Sequence, residues 1–431
     1  MRSLNVFREY LGSYEMVGRI VDAKKGGPRF SYDPGYLSDS SATAISRSLP
    51  LTRTPYSIQG TRAFFDGLIP EGPMREAFEH STRAGRNDFL TVLEAVRNEP
   101  IGALIFSSED DLGALERAYE PLNNEDLSKL AAAPGETAVD YSLRSRISLA
   151  GAQSKIGLYR DVSKAGSEWY LPRGSAPSTH ILKACGRAYP NETVNEAICL
   201  RAARYFEIEV PDCFLIQAGG ADPILAIKRY DRVISPTAQC VDGLAVPTRL
   251  HQVDACQASG LLGSDFKYEP SGAAYFNRLS ALISEMSANP FDDKLSLTYM
   301  QLFHYVVGNA DNHLKNWSFI YDEDWDSIRL APLYDVLDTT IYESLPLEMG
   351  VSFGGSRRID EVTKGMVFDA FERAGIPKVV VKGAIDASIE ELPACIERAA
   401  ADLANEGFPG AKAIAGKMLE GAYKRLEVLK G

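Results

Sequence analysis

The sequence has few of the residues from which metal and disulfide frameworks are built. Six cysteines and five histidines occur among its 431 residues. No two cysteines have the C-x-x-C spacing that is typical of structural zinc sites. Isolated cysteines mostly pack as small apolar side chains. We therefore expect neither a zinc module nor a disulfide-stapled domain.

Long apolar stretches are also missing. No run approaches the ~18 apolar residues that are needed to cross a bilayer. The first residues lack the apolar segment of a signal peptide. These absences predict a cytoplasmic protein that does not act at a membrane.

An excess of positive charge is the third absence. The chain has 46 Lys and Arg against 58 Asp and Glu, which gives a net charge of −12. Proteins that coat nucleic acid need the opposite balance, because their binding depends on neutralising phosphates. Any contact with DNA should therefore be local or should run through a partner.

What the sequence does contain is an ordinary globular composition, with 45% hydrophobic and 24% charged residues. Its length allows two or three domains. Residues 1–145 mix short strands and helices without a compact set of catalytic residue types, which predicts a small α+β accessory domain. Residues 146–240 alternate short strands with one helix over 194–206, and residues 241–431 are mainly helical. This order of elements predicts an α+β chain with a bilobal core.

The clearest motif is the polar loop Gly308-Asn-Ala-Asp-Asn-His-Leu-Lys-Asn316. Asp311 and Asn316 have the D-x-x-x-x-N spacing of a phosphoryl-transfer loop. There the Asp accepts the proton of the substrate hydroxyl, while the Asn and a later Asp hold Mg²⁺. Either residue alone would be an ordinary cap or turn residue. Together with Asp335 they are more specific, because polar groups in apolar surroundings usually have a partner or a function.

The surroundings of this loop fit the same chemistry. A hairpin predicted between Asn316 and Asp335 would fold the second Mg²⁺ ligand back over the first, and both residues offer the hard oxygen atoms that Mg²⁺ prefers. His313 and Lys315 bring potential donors to the loop, where the charge of a transferring phosphoryl group needs stabilising. The spacing therefore predicts a phosphoryl-transfer site.

Upstream segments add weaker signals. Lys183 ends a predicted strand, as does the lysine that binds nucleotide phosphates in protein kinases. Glu196 is its natural ion-pair partner, although a glutamate in a first helical turn also suits the helix dipole. The small-residue loop 148–155, which includes Ser154 and Lys155, offers backbone N–H groups to phosphate. It matches neither the Walker A nor the kinase glycine-rich pattern, so a plain hairpin turn is the alternative.

Taken together, these segments resemble the HipA family of toxin serine/threonine kinases from type II toxin–antitoxin systems. The motifs that carry the resemblance follow the family's order and lie at residues 147–155, 179–183, 195–196, 227–232, 249–254, 308–316 and 330–336. Residues 64–72 and 86–89 look like parts of the family's accessory domain. The resemblance implies an α+β, bilobal protein-kinase-like fold. Its β-rich N-lobe would span residues 146–240 and its helical C-lobe residues 241–431, behind an accessory domain over residues 1–145.

The resemblance also implies roles for single residues. Asp311 would be the catalytic base, with Asn316 and Asp335 as Mg²⁺ ligands. ATP would be contacted by Ser154, Lys155, Lys183, Lys228, Tyr230, His313 and Lys315. Of these, Lys228 departs from the family, in which glutamate is common at this hinge position. Ser148 matches the family's inhibitory autophosphorylation serine, where a phosphate would add about −1.5 to −2 charge.

The function implied is that of an ATP- and Mg²⁺-dependent serine/threonine protein kinase acting as a toxin. Its implied partners are a small helix-turn-helix antitoxin, operator DNA reached mainly through that antitoxin, and a host protein substrate, for which the family suggests an aminoacyl-tRNA synthetase. Two other functions stay open. One is a catalytically silent corepressor, which would have no need of Asp311 or Lys183. The other is a small-molecule or lipid kinase, which the lack of a basic amphipathic segment disfavours.

Overall fold

The chain forms two compact units, which are described separately. The first comprises residues 1–187, 216–263 and 320–327, and the second comprises residues 188–215, 264–319 and 328–431. The structure, a computed structural model, describes residues 2–23, 27–85, 88–95, 101–108, 112, 117–145, 154–162, 168–186, 189–219 and 222–431.

The longest strands lie in the N-terminal half and the longest helices in the C-terminal half. The strands are β1 (Arg2–Tyr10), β2 (Ser13–Ala23), β3 (Gly27–Tyr32), β4 (Leu104–Ser107), β5 (Arg117–Leu122), β6 (Lys155–Asp161), β7 (Glu168–Gly174), β8 (His180–Lys183), β9 (Cys213–Ile216), β10 (Ile224–Lys228), β11 (Arg232–Val233), β12 (Cys240–Val241), β13 (Leu244–Ala245), β14 (Thr248–Arg249), β15 (Gln252–Asp254), β16 (Ser318–Tyr321) and β17 (Ile328–Leu330). The α-helices are α1 (Ile58–Phe65), α2 (Gly72–Thr82), α3 (Phe89–Ala95), α4 (Asn124–Ala132), α5 (Pro134–Ser145), α6 (Glu192–Tyr205), α7 (Ala255–Ser259), α8 (Gly263–Phe266), α9 (Tyr275–Met286), α10 (Pro290–Val307), α11 (Lys364–Arg373), α12 (Lys378–Asn405) and α13 (Ala411–Lys430).

The first unit begins with an antiparallel sheet of order β3-β2-β1-β4. Helix α1 packs on this sheet through aromatic rings. The ring centroid of Phe65 lies 5.1 Å from that of Phe30 and 6.0 Å from that of Phe106, and all three side chains are fully buried. Burial of aromatic surface is a large stabilising term for a layer of this size. This is the mixture of strands and helices predicted for the N-terminal block.

A second antiparallel sheet of the first unit contains β5, β7, β6, β8 and β10 in that order. Strand β5 was not expected from the sequence, because Arg117–Leu122 has little apolar alternation and contains a proline. It pairs with β7, and Tyr119 packs its ring 4.5 Å from that of Tyr159 in a buried cluster. Tertiary packing therefore recruits a segment with weak strand propensity.

A buried ion-pair cluster lies where β10 ends. Asp231 accepts hydrogen bonds from Arg229 at 2.9 and 2.7 Å, from Arg232 at 2.7 Å and from the backbone N–H of Gly102 at 3.1 Å. The two guanidinium groups and the amide outweigh the effect of burial and hold the pKa of the Asp231 carboxyl well below its usual range. The cluster thus fixes the segment after β10 to a part of the chain that is distant in sequence.

One predicted helix is partly wrong. The helical periodicity of the C-terminal half includes residues 252–258 and predicts a helix there, but Gln252–Asp254 form strand β15 and the helix α7 begins only at Ala255. The reason is a capping box: Asp254 accepts from the backbone N–H of Gln257 at 2.7 Å, and the side chain of Gln257 accepts from the backbone N–H of Asp254 at 2.9 Å. Such a box starts a helix directly after the capping residue, and the capping residue itself stays extended.

The second unit is built mainly from helices, as predicted. Helix α10 begins one residue after Asn289, which caps it, and has proline at its first position. It ends at Gly308, whose φ of +88° suits glycine. A Cβ atom at Gly308 would lie 2.5 Å from Oδ1 of Asp338 and 2.7 Å from the guanidinium of Arg425. The end of α10 therefore needs glycine both for its backbone conformation and for close packing.

The predicted hairpin after the polar loop is present. The backbone N–H of Ala331 donates to the carbonyl of Ser318 at 2.8 Å near its base, and that of Asp322 donates to the carbonyl of Ser327 at 3.0 Å near its tip. The tail is also helical as expected and consists of α11, α12 and α13. The domain limits at residues 145 and 240 stay predictions.

Replacing Asp231 with alanine should destabilise the first unit, because two buried guanidinium groups would lose their counter-charge. Breaking one partner of a buried ion pair typically costs about 3–5 kcal/mol. Urea unfolding followed by tryptophan fluorescence would measure the loss, with Asp22→Ala as a control on the less buried surface of β2. An unchanged urea midpoint for Asp231→Ala would show that the cluster contributes nothing to stability.

Candidate functional site

The polar loop is closed onto itself at Asp311. The backbone carbonyl of Asp311 accepts from the N–H of His313 at 2.8 Å and from Nδ2 of Asn316 at 2.9 Å. Its own N–H donates to Oδ1 of Asn309 at 3.0 Å. Asp311 and Asn316, the pair that the spacing predicted to act together, are therefore joined by a direct hydrogen bond.

This bond also orients the carboxamide of Asn316. Because Nδ2 donates to the loop backbone, the amide oxygen Oδ1 is directed to the other side of the group and is available as a hard ligand. Leu314–Asn316 form a short 3₁₀ helix, which places Asn316 at the end of the loop.

The neighbour of Asp335, Tyr334, is hydrogen-bonded to the end of the loop. The hydroxyl of Tyr334 donates to the carbonyl of Lys315 at 2.7 Å and shares a hydrogen bond with the hydroxyl of Ser318 at 2.6 Å. Asp335 itself has φ +55°, an uncommon conformation for a residue with a Cβ atom. Such conformations cluster at functional sites, where the surrounding structure holds them.

A buried asparagine that the motif did not single out ties the loop to its surroundings. Asn312 donates to Oε1 of Gln301 at 3.2 Å and to the carbonyl of Val351 at 3.3 Å, and it accepts from the N–H of Val351 at 3.0 Å. Its carbonyl accepts from the indole N–H of Trp317 at 3.2 Å. Sequence reasoning missed this role, because only the fold reveals that this side-chain amide makes three hydrogen bonds.

Two further polar residues support the loop, His304 from α10 and Thr339 from the segment that follows Asp335. Asn309 donates to Nδ1 of His304 at 3.0 Å, and burial lowers the pKa of His304 to about 3. The hydroxyl of Thr339 accepts from the N–H of Ala310 at 2.9 Å and donates to the carbonyl of Gly308 at 3.0 Å. The histidine is therefore neutral at physiological pH and serves as an acceptor for the loop.

The segment after Asp335 is anchored by a buried carboxyl. The side chain of Asn195 forms two hydrogen bonds with the backbone of Asp338, at 2.8 and 2.9 Å. The Asp338 carboxyl accepts from the N–H and the hydroxyl of Thr340 at 2.8 and 2.6 Å, and it faces the guanidinium of Arg425 at 4.0 Å. Burial raises the pKa of Asp338 to about 6, although Arg425 opposes the shift. Asn195 belongs to a motif of the family resemblance but was given no role. Asp338, Thr340 and Arg425 were not predicted, since each is conspicuous only through its partners.

The carboxylate of Asp311 has a partner that the sequence did not indicate. The hydroxyl of Tyr268 donates to Oδ1 of Asp311 at 2.5 Å. The ring of Tyr268 also meets that of His313 edge-on, with centroids 5.1 Å apart. His313 is nearly buried and Lys315 is half-buried.

In the first unit, the predicted phosphate-binding residues lie together on the second sheet. Lys155 of β6 stands directly opposite Lys183 of β8, and the carbonyl of Ser154 accepts from the N–H of Ala184 at 3.4 Å. Residues opposite each other in an antiparallel pair point to one face, where two like charges are unfavourable. The two lysines therefore share one face of the sheet.

The predicted hinge follows the end of β10. Lys228 ends this strand, is opposite His180 and is exposed, while Tyr230 is half-buried. The N–H of Arg229 donates to the carbonyl of Thr179 at 2.9 Å. Ser148 lies outside the described residues.

The donor set of the polar loop suits a hard cation that keeps several water or phosphate ligands. In the part of the chain that the structure describes, no three or more His, Cys, Asp or Glu side chains are grouped to hold a metal ion. Asn316 and Asp335 would therefore act with phosphate and water oxygens, which is the usual coordination of Mg²⁺. The described helices include none that is long and apolar enough to cross a bilayer.

The sequence of the chain is similar to those of known protein families. Residues 147–399 match the HipA-like C-terminal domain, and residues 10–107 match the HipA N-terminal domain. The chain is 33% identical over 345 residues to the predicted kinase Y4mE of Sinorhizobium fredii, which covers 79% of each chain. It is 27% identical over 322 residues to the serine/threonine-protein kinase toxin HipA of Shewanella oneidensis, covering 72% of this chain and 70% of that one.

The fold is also similar to a solved structure. A chain in the complex of HipA, HipB and operator DNA from Shewanella oneidensis MR-1 matches with a TM-score of 0.79 and 21% identity, over 99% of both chains. This likeness confirms the predicted α+β fold class.

The shifted pKa of Asp338 predicts a pH-dependent stability that Asp338→Asn should remove. Its folded pKa of about 6 lies above its ordinary value of 3.8. Between these two values the folded state binds the proton more readily, so stability present below about pH 4 is lost as the pH rises to about 6. The loss can reach about 3 kcal/mol.

Urea unfolding of the wild type and of Asp338→Asn between pH 4 and pH 7 would measure this contribution. The wild type should lose stability relative to the variant over that range. Asp386→Asn, on the exposed side of α12, should keep the wild-type slope. Parallel curves for wild type and Asp338→Asn would contradict the assignment.

Proposed function

This chain belongs to the HipA family of serine/threonine kinases, and we propose that it acts as the toxin of a toxin–antitoxin pair, transferring the γ-phosphoryl group of ATP to a host protein. One observation carries the proposal. Asp311 and Asn316, spaced as in a phosphoryl-transfer loop, are hydrogen-bonded to each other, and Asp335 follows a tyrosine that is bound to the same loop.

In this proposal Asp311 is the catalytic base. The carboxylate takes the proton of the acceptor serine or threonine hydroxyl. The hydroxyl oxygen forms a bond to the γ-phosphorus, while the bond between that phosphorus and the leaving oxygen of ADP breaks. Asn316 and Asp335 would hold Mg²⁺, which supplies positive charge to the phosphate oxygens when bound. The hydrogen bond that turns the Asn316 amide oxygen outward supports this role.

The lysine pair of the second sheet would bind the phosphates of ATP. Lys155 and Lys183 face each other across β6 and β8, and Ser154 precedes this pair. Lys228 and Tyr230 would flank the adenine at the hinge, where the buried Asp231 cluster keeps the backbone in one conformation.

The remaining contacts and the regulation follow from the family. His313 and Lys315, on the polar loop, would add donors for the transferring group. Ser148 would be an inhibitory autophosphorylation site, because a phosphate there adds negative charge beside the nucleotide phosphates.

The partners would also be those of the family. A small helix-turn-helix antitoxin like the HipB of the Shewanella complex would neutralise this chain. Operator DNA would be bound mainly through that antitoxin, because the net charge of −12 disfavours a broad DNA contact. The substrate would be a cytoplasmic host protein, and an aminoacyl-tRNA synthetase is the first to test.

Replacing Asp311 with asparagine should lower phosphoryl transfer by about 10²–10⁴-fold, because the general base is lost. Transfer from radiolabelled Mg-ATP to the chain itself and to proteins of a cell extract would measure the effect. The same variant should relieve growth arrest in cells. Asp324→Asn, at the exposed tip of the hairpin, is the matched control and should keep full activity.

Three results would count against the proposal. A wild type that binds nucleotide but transfers no phosphate would remove the kinase assignment. Unchanged toxicity of Asp311→Asn would favour a silent corepressor. Transfer to a lipid or small molecule but to no protein would indicate a different substrate class.

Replacing Asp335 with asparagine should mainly weaken metal binding. One carboxylate ligand of Mg²⁺ would become a neutral amide, so the Mg²⁺ concentration for half-maximal transfer should rise by about tenfold or more. Titration of activity with Mg²⁺ at saturating ATP would measure it, with Asp326→Asn as a control on the exposed hairpin tip. An unchanged Mg²⁺ requirement would exclude Asp335 as a ligand.

A further inference from the structure

We propose that Tyr268 is the positioning residue of Asp311: its hydroxyl holds one carboxylate oxygen so that the other faces the acceptor hydroxyl. The inference rests on the proposed role of Asp311 as the base. Tyr268 donates to Oδ1 at 2.5 Å, and a hydrogen bond to a carboxylate is stronger than one between neutral groups. Oδ2 is then the oxygen that receives the proton.

The backbone on both sides of Tyr268 is fixed to the polar loop. On one side, the carbonyl of Lys267 accepts from the N–H of Leu314 at 3.0 Å. On the other side, the N–H of Glu269 donates to the carbonyl of Gly350 at 3.0 Å, and the N–H of Gly350 donates to the carbonyl of Ala310 at 2.8 Å. The segment is therefore attached to the loop before and after Asp311 and does not behave as a mobile lid.

Two buried groups make this attachment rigid. The carboxylate of Glu269 accepts from the N–H of Tyr275 at 3.1 Å and from that of Ser352 at 2.7 Å. At Gly350, an added Cβ would lie 2.6 Å from the backbone of His313. Only glycine allows the segments at Gly350 and His313 to approach so closely, and this approach sets the distance from Tyr268 to Asp311.

The exposure of Tyr268 argues against a purely structural role. The residue is 45% exposed, so its ring buries little surface for the rotamer freedom that it loses. Its orientation is set by the edge-on contact with His313 and by the ammonium of Lys267, which lies 5.3 Å from the ring centroid. What this arrangement fixes is the direction of the hydroxyl, and that direction is toward the carboxylate.

The physical consequence is a base with one permitted orientation. A half-exposed carboxylate without this bond would turn about its last torsion and hydrate at both oxygens. Holding Oδ1 removes this freedom before the substrate binds, and such preorganisation lowers the barrier of the transfer step. Substrate affinity should be unaffected, because Tyr268 contacts the base and not the acceptor hydroxyl.

Tyr268→Phe tests the inference, since it removes only the hydroxyl. Measured with a protein that the wild type phosphorylates, or by autophosphorylation, kcat should fall by about ten- to a hundredfold. This is the effect of losing a hydrogen bond to a charged group. KM for the acceptor and for ATP should stay unchanged.

Tyr423→Phe, on the exposed side of α13, is the matched control and should resemble the wild type in all three quantities. Equal kcat values for Tyr268→Phe and wild type would overturn the inference and leave the kinase assignment intact. A lower KM or a faster rate in Tyr268→Phe would also overturn it, because the hydroxyl would then compete with the substrate. An inactive wild type would overturn both proposals.

Discussion

The close approach at Gly308 is the constraint on which the rest of the second unit depends. The helix α10 must end there with a positive φ, and no side chain fits between its last turn and the buried pair of Asp338 and Arg425. The carbonyl of Gly308 then accepts from both the N–H and the hydroxyl of Thr339. One glycine thus joins the start of the polar loop to the segment that follows Asp335, so both candidate metal ligands are built on a single rigid junction.

Buried polar groups, more than apolar contacts, define this site. The side chain of Asn312 makes three hydrogen bonds and that of Asn195 two, and each would leave backbone groups unpaired if it were replaced by an apolar residue. Networks of this kind specify one arrangement at the expense of desolvation. The desolvation cost is visible at Asp338, because burial raises the pKa of its carboxyl even with Arg425 nearby. This network of hydrogen bonds holds Asp311 and Asn316 in one arrangement.

Charge is distributed locally in a way that the net value conceals. The chain carries −12 overall, yet Lys155 and Lys183 are opposite each other on one sheet. At the end of the same sheet, Arg229 and Arg232 both bind the buried carboxylate of Asp231 and so serve the fold. Lysines that face each other on a sheet and arginines that bind a buried carboxylate cannot be told apart in the sequence, where both are basic residues near strand ends.

The sequence by itself determined the family, the α+β class, the mainly helical C-terminal half and the pairing of Asp311 with Asn316, because these depend on local spacing and apolar periodicity. Only the tertiary structure decided which residues support them. Strand β5 has no strand pattern of its own and exists through its pairing with β7, and α7 starts late because Asp254 and Gln257 cap each other. Tyr268, Asn312 and Asp338 are distant in the chain from their partners or lack any motif. Their roles arise from contacts between segments, and a linear pattern carries no record of such contacts.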